Sequence, residues 1–225
     1  MSKSEHNVYE GERCKICGSE CTQILYEKIE STYHKCTKCA FIFKDPACYV
    51  TSVEEQQIYD SHINTVDDPA YVAYFDTFIQ KCIIRFIGDS KQALDFGSGP
   101  EPVLAQILRS NYGFEVDIYD KYYAPEKAYI GNSYDLITAT EVVEHLKDPL
   151  PYFELFKSLL KPMGVLAVMT QFHHDDERRF EHWHYRRDES HVSFFTPQTM
   201  ATIAERVGLE IVYIDAHKNV AFKLK

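Results

Sequence analysis

The sequence has no apolar run near the ~20 residues that a membrane-spanning helix needs; stretches such as Gly164 to Met169 end far sooner. Met1 to Glu20 is polar and lacks the apolar segment of a secretion signal. A soluble, cytoplasmic protein with no membrane partner is expected. Positive charge is also scarce, with 24 Lys and Arg against 34 Asp and Glu and a net charge of −10. Attraction to nucleic acid would therefore need a local basic patch. No repeat or low-complexity tract is present. What remains is 225 residues, 45% apolar and 26% charged, the balance of a globular protein. At ~100–200 residues per domain, the length holds one full domain and a small second one.

Five of the seven cysteines lie in the first forty residues, and four form two pairs of one spacing, Cys14-Lys15-Ile16-Cys17 and Cys36-Thr37-Lys38-Cys39. A two-residue gap lets both thiolates of a pair face one centre, and the span between pairs suits a hairpin. Cys14, Cys17, Cys36 and Cys39 are therefore read as a structural zinc site, in preference to free thiols or a redox motif, which needs no second pair. Cys21 is a candidate fifth thiol, while Cys48 and Cys82 read as core residues. A closed four-thiolate site has no open position, so this module would stabilise or recruit.

Val53 to Asp68 is polar, and Pro69 to Ile87 shows helical spacing at Val72, Phe75, Phe78, Ile79, Ile83 and Phe86. Tyr71 and Tyr74 on that helix either line a pocket or join the core. From Gln92 onward, short apolar runs alternate with helical patterns, the signature of a parallel sheet with crossover helices. Strands are expected at 93–96, 114–119, 134–140, 165–171, 210–214 and 220–224, and helices near 103–111, 150–160 and 199–207. The expected division is a zinc-ribbon-like module over 1–50, a helical connector over 51–90 and the main domain over 91–225.

Ala93-Leu94-Asp95-Phe96-Gly97-Ser98-Gly99-Pro100 reads as strand, glycine turn and helix start. Gly97 and Gly99 let the backbone turn tightly and approach a ligand, and the helix N-terminus beyond offers free N–H groups. A dinucleotide site would carry a third glycine where Pro102 stands, which disfavours nicotinamide cofactors. Asp120, at the carboxyl edge of the next strand, is placed to accept hydrogen bonds from ribose hydroxyls, or else to cap a turn.

Leu94-Asp95-Phe96-Gly97-Ser98-Gly99, Asp120 and the run Tyr134-Asp135-Leu136-Ile137-Thr138-Ala139-Thr140-Glu141-Val142-Val143-Glu144-His145 together resemble the class I S-adenosylmethionine-dependent methyltransferases. The resemblance covers Gln92 to the C-terminus. It implies an α/β, Rossmann-like fold with a mostly parallel sheet of the seven-stranded type, preceded here by the small zinc ribbon. It also implies that Asp95, Gly97, Ser98 and Gly99 hold the methionine end of the cofactor, Asp120 its ribose, and that Thr140 adds a cofactor contact. One departure is plain: Tyr134 follows only fourteen positions after Asp120, so the third-strand region is cut short and the adenine contacts are unassigned.

Glu141, Glu144 and His145 stand at i, i+3 and i+4, so a helix starting after the strand would put them on one face. Two carboxylates and an imidazole suit a divalent ion with positions left for substrate oxygens. A similar element with a distant histidine occurs in the magnesium-dependent small-RNA terminal 2′-O-methyltransferases, and a related one in ubiquinone-pathway O-methyltransferases. His191 would be the distant ligand, and magnesium or manganese the ion. The alternative is that these residues cap the helix, contact cofactor or shape the pocket. Glu181 to His191 follows the fifth strand and reads as a substrate lid. There His182, His184, Arg186 and Arg187 either face an anionic substrate or form a salt-bridged loop, with Trp183 and Tyr185 as anchors. His173 and His174 read as a general base, as ligands, or as a surface pair.

The expected function is thus S-adenosylmethionine-dependent methyl transfer, with zinc as a structural metal and Glu141, Glu144, His145 and His191 as the catalytic set. A small-molecule or sugar-like O-acceptor ranks first because no basic face is sustained. RNA is the second acceptor, and a non-catalytic cofactor-binding protein that docks a partner is the rival class.

Overall fold

A computed structural model describes residues 12–26, 31–61, 65–89 and 91–225. The segments 1–11 and 27–30 of the expected ribbon, the first of which opens the polar start of the chain, lie outside the described residues.

The ribbon is built from β1 (Cys21–Tyr26), β2 (Ser31–Cys36) and β3 (Ile42–Lys44). The pairing is antiparallel, and Cys21 faces Cys36 across the first ladder. The connector contains α1 (Ser52–Asp60) and α2 (Pro69–Cys82). Thr51 and Glu54 form a reciprocal capping box at the start of α1, and Asp68 caps α2 ahead of Pro69. Each cap satisfies N–H groups that the first turn leaves orphaned.

The main sheet follows with β4 (Gln92–Phe96), α3 (Val103–Tyr112), β5 (Glu115–Tyr119) and β6 (Tyr134–Thr140). Then come α4 (Leu150–Leu159), β7 (Leu160–Met169), α5 (Glu177–His182), β8 (Ser193–Phe194), α6 (Pro197–Val207), β9 (Leu209–Ile214) and β10 (Asn219–Leu224). The sheet order is β5-β4-β6-β7-β10-β9. β5, β4, β6 and β7 run parallel, and β10 is antiparallel to both of its neighbours. Among the described residues nothing pairs outside β5, so the third strand is absent rather than merely short. Residues 121–133 instead form turns, with a bridge between Asp120 and Ala124.

The near-continuous apolar strands are explained by burial on both faces. Leu94, Ile137, Leu166, Val168, Val220 and Phe222 point to the side of α4 and α6, among Phe153, Phe156, Met200 and Ile203. Ala93, Leu136, Val165, Ala167 and Ala221 point to the other side, against Phe75, Phe78, Ile79, Leu104 and Leu108 from α2 and α3. Phe153, Phe156 and Phe222 are fully buried, and truncation of any one to alanine costs about 3–5 kcal/mol.

The ribbon is not a bead on a string. β8, from the C-terminal half, is the fourth strand of its sheet, with Ile42 opposite Phe194 and Phe43 opposite Ser193. Cys14, Ile16, Cys36, Cys39, Phe41 and Phe43 pack in the same cluster as the α4–α6 side of the main sheet.

Candidate active site

At β4 the chain turns through Gly97 (φ +81°) and Gly99 (φ +69°), the left-handed region that favours glycine. A Cβ on Gly97 would lie 2.2 Å from Val142 Cγ2, whereas one on Gly99 would meet nothing within 4 Å. Gly97 is therefore required by packing and Gly99 by backbone conformation. The Gly97 and Ser98 N–H groups donate to Tyr119 O at 2.7 and 3.1 Å. The Gly99 N–H donates to Asp120 Oδ2 at 3.0 Å, and Tyr122 and Tyr123 N–H donate to Oδ1 at 2.8 and 3.1 Å. One carboxylate thus closes the glycine turn and the following loop, with acceptor capacity left over.

Asp95 is buried and accepts from Thr138 Oγ1 at 2.8 Å. Burial pushes its carboxyl up to about 6. The buried Ser98 hydroxyl has no hydrogen-bond partner among the described residues. A cradle of left-handed glycines, an orphaned hydroxyl and two carboxylates fits a ligand with a cationic end and hydroxyl groups, as S-adenosylmethionine has.

Asp95, Gly97, Ser98, Gly99, Asp120 and Thr140 all line one cavity of about 1350 Å³. The same cavity is lined by Glu141, His145 and His191, by Tyr59 from α1 and by Tyr71 and Tyr74 from α2. The tyrosines of α2, open between core and pocket in the sequence, line the cavity.

The face expected for Glu141, Glu144 and His145 is not formed by an α-helix. The Glu141 N–H donates to Met169 O, extending the sheet. Its φ of +54° then breaks the strand, and only a 3₁₀ turn, Val143–His145, follows. Glu141 accepts from Tyr74 Oη and Tyr185 Oη, both at 2.9 Å, and shares the Tyr185 hydroxyl with Glu144. Glu144, His145 and His191 come together instead, with ligand atoms within 4.8 Å of one another.

Both imidazoles are fixed by backbone carbonyls, which only accept. His145 Nδ1–H donates to Ser190 O at 3.2 Å, and His191 Nδ1–H donates to Tyr185 O at 2.6 Å. Both rings therefore present Nε2 away from these carbonyls: neutral His145 keeps its lone pair there, as metal-ligating histidines do, and His191 Nε2 lies 3.8 Å from Asp188 Oδ2. Desolvation, helped by His191, lowers His145 to about 3. Glu144 is fully buried, and burial and then Glu141 raise its carboxyl well above the usual range. Its Oε1 accepts a short hydrogen bond from Tyr185 Oη, while Oε2 has no partner among the described residues. Two imidazole nitrogens and one carboxylate oxygen fit a borderline divalent ion better than a hard one.

Cys14, Cys17, Cys36 and Cys39 converge, with Sγ atoms 3.6 Å (Cys14 to Cys39) and 3.4 Å (Cys17 to Cys36) apart. Zinc–sulfur bonds of ~2.3 Å set tetrahedral S···S separations of ~3.8 Å, so the donors fit zinc. Ile16 and Cys17 N–H groups point at Cys14 Sγ, and those of Lys38 and Cys39 at Cys36 Sγ.

The expected substrate lid is a packing element. Phe180, Tyr185 and Phe194 are buried with Tyr33 of the ribbon, and Trp183 packs against them. Arg186 is buried, donates to Phe180 O and Glu181 O, and lies over the Tyr26 and Tyr33 rings. Of Glu181 to His191, only Asp188 and His191 reach the cavity. His173 is a core histidine that donates to Ala40 O at 2.9 Å, and His174 is exposed. Tyr59 and Glu55, which sequence reasoning missed, do reach the cavity: the Tyr59 ring meets His145 edge-on at 5.0 Å, and Glu55 pairs with Lys121 at 2.7 Å. The Thr51-x-x-Glu54 capping box was the available signal for their helix.

A parallel sheet of this order, with a left-handed glycine turn after one strand and a carboxylate at the end of the next, defines the Rossmann-like methyltransferase fold. Residues 71–214 match the family model described as a methyltransferase domain, and the chain belongs to that family. Ubiquinone biosynthesis O-methyltransferases of Dinoroseobacter shibae and Ruegeria pomeroyi are similar, 28% and 29% identical over 134 residues, covering 56% of this chain and 53% of theirs. The chain thus spans about half the length of the curated relatives it matches. Among solved structures, an O-methyltransferase family protein from Burkholderia thailandensis superposes with a TM-score of 0.52 at 14% identity, over 68% of this chain and 55% of that one. A mitomycin 7-O-methyltransferase gives 0.50 at 12% identity, over 76% and 60%. These likenesses concern the fold.

Proposed function

We propose that the protein is an S-adenosylmethionine-dependent O-methyltransferase for a small-molecule acceptor, with a divalent ion held by Glu144, His145 and His191. The observation that carries this reading is that the residues of the glycine turn and the imidazoles of His145 and His191 line one cavity. Bound S-adenosylmethionine supplies an activated sulfonium methyl for in-line displacement. Asp95 and the glycine turn would hold its methionine end, Asp120 its ribose, and Ser98 and Thr140 add contacts.

The rest of the work belongs to positioning. His145, held neutral, is a poor proton acceptor near neutral pH and a good ligand. Glu144 completes the donor set with its unsatisfied oxygen. Manganese suits this set better than magnesium, which prefers oxygen ligands and retains its waters. Tyr59, Tyr71 and Tyr74 line the cavity and limit water. The name of the curated relatives supports oxygen as the acceptor atom.

The lining supports a small molecule over RNA. It carries eight carboxylates and two lysines, Lys121 and Lys147. Lys121 is already paired with Glu55, and a phosphodiester would meet repulsion. Among the described residues no helix is long and apolar enough to cross a membrane, and a cytoplasmic location is part of the same proposal.

The test is calorimetry of S-adenosylmethionine and of Mn²⁺ into protein of measured metal content. The parent should bind both, Asp120→Ala should lose at least ~10-fold in cofactor affinity, and Glu144→Gln should lose the manganese site alone. No cofactor binding overturns the enzyme reading; cofactor binding with no Mn²⁺ site overturns the metal.

A further inference from the structure

Among the described residues no hydrogen bond joins the zinc ribbon to the glycine turn or to Asp120, whereas several join it to the segments that carry Glu144, His145 and His191. β3 pairs with β8, and at the last residue of β3 the Lys44 N–H donates to Val192 O at 2.9 Å. The Val192 N–H in turn donates to Glu144 O at 2.8 Å. A row of backbone hydrogen bonds therefore runs from β2 through β3 and residue 192 to Glu144. Beside that row, Ser193 Oγ donates to Leu146 O at 2.7 Å and Lys15 Nζ to Lys147 O at 2.8 Å. Lys44, buried, donates its ammonium to Glu189 O at 3.1 Å, two residues before His191.

The cysteine knuckles are held from the same side. Thr199 Oγ1 donates to Cys39 O at 2.8 Å, Gln198 Nε2 to Lys38 O at 2.6 Å, and His173 Nε2 to Ala40 O at 2.9 Å. The cofactor wall is built differently. The bonds of Gly97, Ser98 and Gly99 all go to Tyr119 and Asp120, within the parallel sheet.

We propose that the zinc ribbon is the positioning element of the Glu144–His145–His191 site, acting through β3 and residues 189–194, and that the cofactor end of the cavity stands without it. A module that merely recruited a partner would carry its own closed sheet and meet the core through side chains. This ribbon instead borrows its last strand from the segment that ends the histidine wall. Removal of zinc frees the knuckles, β3 loses its anchor, and Val192 and Glu144 lose their register. The proposal rests on the reading that these three residues serve the transfer, but its first readout does not.

That readout is the side-chain ¹H–¹⁵N spectrum of His145 and His191 in the full chain, before and after zinc is displaced by an organomercurial titrant and the released zinc is counted. The loaded protein should show both imidazoles protonated and hydrogen-bonded at Nδ1. Loss of zinc should abolish both signatures while S-adenosylmethionine affinity, read by calorimetry, changes within about 2-fold, as for distant independent sites. Restored zinc should restore the signals. Unchanged histidine signals after zinc release overturn the proposal, and so does joint loss of the signals and of cofactor binding.

Ser193→Ala provides a second route that leaves every cysteine in place. It should keep zinc at one per chain and cofactor affinity unchanged, and weaken Mn²⁺ binding roughly 10-fold, the usual effect of removing a supporting bond around a metal. Unweakened Mn²⁺ binding in Ser193→Ala counts against the coupling. A parent that binds no Mn²⁺ refutes the metal reading instead and leaves the histidine spectra to decide the positioning.

Discussion

Gly97 and Gly99 sit two residues apart at similar positive φ, +81° and +69°, yet alanine at the two positions should have unequal consequences. Either substitution places a Cβ in the left-handed region, at about 1–2 kcal/mol. At Gly97 the new atom also falls 2.2 Å from Val142 Cγ2 and 3.3 Å from Val142 Cβ and Cγ1. Overpacking of that kind adds about 1–3 kcal/mol. Gly97→Ala is therefore expected to lose about 2–5 kcal/mol and Gly99→Ala only the strain portion. The extra cost belongs to one neighbour, so Val142→Ala should relieve it. In the double variant only Cβ remains in contact, and the coupling measured by a double-mutant cycle should favour the pair by about 1–3 kcal/mol. Urea unfolding of the four proteins followed by far-ultraviolet circular dichroism measures each quantity. Equal destabilisation by the two alanines, or a coupling near zero, would refute the reasoning.

Two further outcomes follow from buried polar groups. His173 donates Nε2–H to Ala40 O and accepts at Nδ1 from the Asp175 N–H, and burial lowers it to about 4. The unfolded chain takes up the proton near 6.5, so the stabilisation is complete above that pH. It is lost as pH falls toward 4, by about 3 kcal/mol. His173→Gln should flatten the pH dependence of the urea midpoint between pH 7 and 4.5, and an unaltered slope would sink the assignment. The Tyr185 hydroxyl serves Glu141, Glu144 and Thr170 together. Tyr185→Phe should cost about 1–3 kcal/mol in thermal unfolding, and an unshifted midpoint would show that the bridge contributes nothing.

The parts of the fold that local pattern specifies were legible in the residues. The cysteine pairs, the glycine turn, Asp120 and the strand at 134–140 fall where spacing and composition place them, because each depends on neighbours in sequence. α1 was missed because its inward face offers little apolar signal: its buried residue is Glu55. In the segment after β7, Trp183 and Tyr185 were legible as anchors, but four arginines and many acids favoured a lid and concealed Phe180, whose burial makes the segment a packing element. Glu141 left the expected helical face because a left-handed backbone position follows β6, which no periodicity announces. The pairing of β3 with β8 joins residues about 150 apart, beyond the reach of any local pattern.

That pairing bears on the order in which the molecule is made. The four thiolates leave the ribosome about 150 residues before the strand that completes their sheet and the Thr199 hydroxyl that holds Cys39. Vectorial folding, in which a segment closes before later residues appear, is unavailable to this ribbon. Its long-range contacts carry a loop-closure cost that delays them relative to local structure. Convergence of the nascent thiolates and the later docking of residues 192–199 are therefore separate events, and the interval between them is when the edge of β3 is open to wrong partners.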